Sequence, residues 1–127
     1  MLNQLLKSVL DQDRAPVVIC DLTHTIVYMN PAADVNYVKD GGHDLVGKSL
    51  LDCHNEHAQA VIKRIVAWFA EDTANNMIYT FRNEKSNKDV YMVALRDEEG
   101  KLIGYYEKHE MRNVETAKVY DFTKSLV

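Results

Sequence analysis

The sequence is sparing with the residues that cross-link or break a chain. Its two cysteines, Cys20 and Cys53, follow no secretory leader, which argues against a disulfide framework and points to a reduced, cytoplasmic protein. There is no long apolar run. The opening MLNQLLKSVL has no basic cluster before its apolar residues and is broken by Asn3, Gln4 and Lys7, so it reads neither as a signal peptide nor as a membrane span. Positive charge is not in excess. The formal net charge is −4 and lysines are interspersed with acids, as in EKSNKD with Lys85, Lys88 and Asp89, which argues against a nucleic-acid surface. Repeats and low-complexity segments are absent. So are G-x-S-x-G, a P-loop and H-E-x-x-H, and nothing sets a nucleophile beside a base. The neighbouring acids Asp97, Glu98 and Glu99 stand beside Gly100 and read as a solvated turn. The chain is therefore read as a non-enzyme.

What is present is enough for one domain with one core. The 127 residues are 46% hydrophobic and 27% charged, an ordinary globular balance. Leu2, Leu5, Leu6, Val9 and Leu10 recur at helical spacing over residues 1–13, giving an amphipathic helix whose stripe needs a partner. Pro16 ends it. Residues 17–21 and 25–30 read as two β-branched strands joined by a tight turn at Leu22, Thr23 and His24. Asn30-Pro31 then opens a short helix over 31–37, because proline suits the first helical position. Gly41-Gly42 breaks this helix and Gly47 punctuates again.

Ala58, Val61, Ile62, Ile65, Trp68 and Phe69 mark the clearest amphipathic helix, over 54–71, with Asp52 preferred to Asn55 as its cap. Three strands follow, over 77–82, 89–96 and 102–109. The middle one, with VYMVAL at its centre, is expected mid-sheet with both faces covered. Tyr105 and Tyr106 give one phenol to each face. Val114, Ala117, Tyr120 and Leu126 suggest a last helix over 111–127.

The order of these pieces resembles a PAS domain over roughly residues 15 to 110. The hairpin text DLTHTIVYMNPAA is similar to the family's opening, where an asparagine follows the second strand. LVGKSL resembles its glycine-lysine step and DEEGKLIGY its last hairpin. GKSLLDCHN, at Gly47 to Asn55, is closer to bacterial sensory PAS domains found beside hemerythrin-like modules. The resemblance implies an α+β fold: a five-stranded antiparallel sheet with helices on one face, flanked here by N- and C-terminal helices. It implies signal sensing and dimerisation. The Asp-Ile-Thr tripeptide that often couples the last strand to an output helix is replaced by Met111, Arg112 and Asn113. No output module follows, so output is expected through a partner protein.

A division into a dimerisation helix (1–14), the PAS domain (15–110) and a last helix (111–127) follows. The expected role is a sensor that binds a small ligand between sheet and helices and forms a homodimer. The alternative is a ligand-free dimerisation scaffold. Candidate ligand residues are His54, Cys53, Tyr37, Val61, Ile65, Tyr79, Met92 and Tyr105, with Ile19, Tyr28 and Val93 as further candidate walls. About half of these walls are expected to face inward, since a one-residue error in register moves a side chain across the sheet. No cofactor is assigned. Cys53, His54 and His57 are the one dense group of metal-capable side chains, but Cys53 and His54 are adjacent at a helix start and do not easily converge. A haem sensor is the less favoured variant, because His54 and His57 precede the middle of the helix. His54 is the main functional candidate, against a plain reading in which it bonds local backbone. Cys20 reads as a small buried hydrophobe.

Overall fold

β-branched residues dominate Val17–Asp21 (β1) and Ile26–Met29 (β2), and the two pair antiparallel across the Leu22–His24 turn. Residues 1–123 are described in the computed structural model. Three further strands, Met77–Asn83 (β3), Lys88–Arg96 (β4) and Leu102–Met111 (β5), complete one antiparallel sheet in the order β2-β1-β5-β4-β3. The last strand in sequence is thus the middle strand in space. Gly104 permits this, since a Cβ there would lie 2.5 Å from the Cys20 carbonyl oxygen.

The core lies on one face of this sheet. Val18, Cys20, Met92 and Tyr105 point into it, and Ile62, Ile65 and Phe69 of the helix Glu56–Glu71 (α3) pack down on them. Asn55, not Asp52, caps α3 by accepting from the Ala58 N–H at 2.8 Å. Asp52 belongs to the 3-10 turn Leu50–Cys53, which carries the chain past His54 before the α-helix starts. At the other end, Arg96 Nη2 donates to the Phe69, Asp72 and Asn75 carbonyls at 2.7, 3.2 and 3.0 Å. A guanidinium on β4 therefore satisfies the open end of α3 and complements its dipole.

The expected covering of both faces of β4 is only half met. Val90 and Met92 are buried on the inner face, while Tyr91, Val93 and Leu95 on the outer face are half-buried. α3 packs on the inner face of β4, and the outer face of that strand meets neighbouring side chains such as Tyr79 beside Tyr91. The helix expected over 111–127 is a correction. Met111 ends β5, and Arg112 to Thr123 form no helix or strand. Val114, Val119, Tyr120 and Phe122 are exposed, so their sparse stripe meets no surface that would stabilise a helix. The rest of that expected helix, residues 124–127, lies outside the described residues.

Asn30 joins the first elements. It is fully buried between β2 and the helix Pro31–Asn36 (α2). Its Oδ1 accepts from the Val17 and Ala33 N–H groups, both at 2.9 Å. Its Nδ2 donates to the carbonyls of Leu10 at 2.9 Å, Ala15 at 3.0 Å and Asp13 at 3.4 Å. One side chain thereby caps α2, starts β1 and holds the end of the helix Leu2–Gln12 (α1). Asn30→Ala is expected to cost about 3 kcal/mol, because several buried backbone groups lose their partner at once. Asn30→Asp should cost at least as much, since a carboxylate would face three carbonyls. Urea midpoints with an unchanged slope would check both.

Candidate ligand site

The alternation that buries Tyr105 also turns Glu107 and His109 of β5 to the inner face. Glu107 stands mid-sheet, paired with Val18 on one side and Met92 on the other. A carboxylate there sits between apolar neighbours and needs partners. Two come from the protein. The Tyr37 hydroxyl, at the end of α2, donates to Oε1 at 2.5 Å, and His109 Nε2–H donates to the same oxygen at 2.5 Å. Oε2 receives no hydrogen bond among the described residues.

Above this strand lies a cavity of about 400 Å³ between the sheet and α3. Val18, Cys20, Met92 and Tyr105 form its floor, and Val61, Ile62 and Ile65 its roof. A smaller chamber of about 110 Å³ adjoins it, lined by Met29, Tyr37, Leu45 and Cys53. Val18, Leu50, His54 and Glu107 line both, so the imidazole and the carboxylate stand where the two spaces meet. The register slip between Tyr79 and Phe81 places Phe81 opposite Val90 on the inner face, where it lines the rim of the larger cavity.

Of the residues singled out from the sequence, His54, Cys53, Tyr37, Val61, Ile65, Met92 and Tyr105 line these spaces. Tyr79 does not. It pairs with Tyr91 on the outer face, its ring 5.3 Å from that of Tyr91, and its hydroxyl donates to Asp89 at 2.7 Å. The bulge lies after Tyr79, so simple alternation through this strand assigns the wrong face. Ile19, Tyr28 and Val93 also lie on the outer side. Ile19 pairs with Tyr28 and Tyr106, and Val93 with Tyr106. The Tyr28 hydroxyl is bonded to Asp11 of α1.

His54 bonds local backbone and also stands on the cavity lining. Its Nδ1–H donates to the Leu50 carbonyl at 2.7 Å, which is local backbone bonding, and the same ring lines the cavity. Its backbone carbonyl accepts from Gln59 Nε2 at 2.8 Å, which further fixes the residue. Among the described residues no three His, Cys, Asp or Glu side chains gather to hold a metal, so Cys53, His54 and His57 do not converge. Neither thiol is activated. Burial pushes Cys20 up to about 12, and Cys53 is raised by burial and then by Asp40 and Asp52.

A family model described as the PAS fold matches residues 10–108. The chain belongs to the PAS family. Solved structures similar to this PAS domain include a C-terminal domain from Streptococcus mutans, at 18% identity and TM-score 0.67, covering 86% of this chain and 84% of that one. Another is a PAS domain from Colwellia psychrerythraea, at 13% identity and TM-score 0.65, covering 88% and 98%. A third is the Aer2 receptor from Vibrio cholerae, described as a dual PAS-heme oxygen sensor, at 19% identity and TM-score 0.57, covering 75% and 91%. At these identities the likeness is one of fold. A comparison with curated protein sequences finds no match. PAS domains are a family of sensory and signalling modules, and no helix among the described residues is long and apolar enough to cross a membrane.

Sequence reasoning missed Glu107, the polar centre of this PAS domain's inner face. The signal was available in GYYEKHE: once Tyr105 faces inward, period two carries Glu107 and His109 inward with it. Burial alone would raise the Glu107 carboxyl, but the hydrogen bond and charge of His109, then Tyr37 and His54, outweigh it and hold it below the ordinary 4.5. A carboxylate depressed in the folded state stabilises above its unfolded value and loses that contribution as pH falls through its folded value. Glu107→Gln is therefore expected to shallow the loss of stability below pH 4.5 relative to wild type. Urea titrations on both sides of that pH test this.

Proposed function

We propose that this PAS domain is a cytoplasmic sensor that takes a small, mostly apolar ligand into the space between the sheet and α3 and acts as a homodimer on a partner protein. The supporting observation is the cavity itself. Its volume of about 400 Å³ falls in the usual range for small-molecule sites, and apolar walls with a few fixed polar groups are the usual lining. His54 and Glu107 would orient the ligand while Ile62, Ile65 and Met92 bury its body. Occupancy would move α3 against β4 and β5. The shift would reach α1 through the shared strand β1 and Asn30, whose hydrogen bonds tie the two together.

A ligand-free scaffold is the second reading, favoured by α1. Leu2, Leu5, Leu6 and Val9 are all more than half exposed and none of its residues is buried, so the helix presents an apolar stripe for another copy. Both readings expect a dimer through α1. Removing residues 1–13 should convert a dimer to a monomer in light scattering, and an unchanged mass would remove α1 from the interface.

Mass and absorbance of protein purified without denaturation separate the readings. A co-purifying small molecule, diminished in a folded His54→Ala variant, supports sensing. Protein without a ligand leaves the scaffold, and a Soret band would replace the small-molecule reading with haem.

A further inference from the structure

Two polar residues that line both spaces, Glu107 and His54, each keep an acceptor without a partner among the described residues, while the Tyr105 hydroxyl of the cavity floor is paired with His24 at 2.9 Å. Tyr37 and His109 both donate to Oε1 of Glu107, leaving Oε2 as an open acceptor on the cavity wall. His54 spends Nδ1–H on the Leu50 carbonyl, so in the neutral ring Nε2 is also an acceptor, and it has no partner among the described residues. Thr80 Oγ1 already donates to the Val90 carbonyl at 2.9 Å. Asp40 adds a second carboxylate to the smaller chamber. The buried cation of this face, Lys88, reaches Asn36 Oδ1 at 3.3 Å and is not among the residues lining either space. His57 lines the larger cavity but is itself exposed to solvent.

Resting on the reading of this cavity as a ligand site, we propose that its ligand is an apolar molecule with a cationic or N–H-rich head, an amine or amidine class, whose donors bridge Glu107 and His54. An anionic head would meet two acceptors and a like charge in a site with apolar walls, where an unpaired charge is costly. A protonated amine would complete both acceptors with charge-assisted hydrogen bonds. The apolar body would lie along Ile62, Ile65 and Met92.

Three probes of matched size test this on the full chain: phenethylammonium, 2-phenylethanol and phenylacetate. Binding is followed by calorimetry and by shifts of the Ile62, Ile65 and Met92 methyl resonances. The expected order is ammonium over alcohol by about tenfold or more, the size of one charge-assisted bond, with phenylacetate weakest. Glu107→Gln should remove most of the ammonium's advantage over the alcohol, because the amide carries no charge to pair with the ammonium. If that variant fails to fold, the order of the three probes in wild type still decides. Alcohol or carboxylate binding as tightly as ammonium would overturn the cationic assignment and leave the cavity reading standing. No methyl shift with any probe would overturn both.

Discussion

The arrangement of the N-terminal half depends on one buried amide. Asn30 makes five hydrogen bonds, two accepted and three donated, to backbone groups of α1, the segment after it, β1 and α2. An amide is suited to this place because it carries acceptor and donor at the same point without charge. By fixing α2 against β1 it also fixes Tyr37, which closes α2 and reaches Glu107 in the middle of the sheet. The geometry of the candidate site therefore traces back to a residue that does not line it.

Glu107 is the second constraint. A carboxylate between Val18 and Met92 would oppose folding if left bare, and its two donors converge on one oxygen rather than sharing both. This asymmetry makes the inner face of the sheet more than a packing surface. It holds the carboxylate in a set orientation by one oxygen and leaves the other without a partner among the described residues, on a residue that lines the cavity. Arg96 has the complementary role at the far end, where its guanidinium ties the last turn of α3 and the segment after it through the Phe69, Asp72 and Asn75 carbonyls, and so keeps the roof of the cavity over the floor.

Much of this was legible in the sequence, for reasons that differ by element. α3 was plain because Ile62, Ile65 and Phe69 repeat at helical spacing and are the residues the core needs. The strands were legible because β-branched and aromatic residues cluster between turn signals. Strand facing was not: the irregularity after Tyr79 lies in the backbone and leaves no mark in residue type. The cap of α3 is ambiguous in the sequence because Asp52 and Asn55 are both competent caps, and only the 3-10 turn before His54 decides between them. The helix expected after β5 had periodicity without a surface to bury against, and periodicity alone does not stabilise a short helix. Glu107 escaped notice because a lone acid in a strand is usually solvent-facing, and its burial depends on partners at Tyr37 and His109, distant in sequence or unremarkable in type.

The space between the sheet and α3 is proposed as a ligand site and not a packing defect. A crystal structure of the protein as purified from cells, at a resolution that shows ordered water, tests it most directly. Continuous non-water density is expected from the Glu107 carboxylate and His54 along Ile62, Ile65 and Met92. A cavity closed by inward movement of Phe81 and Val61, with α3 settled onto β4 and no density beside Glu107, would contradict it.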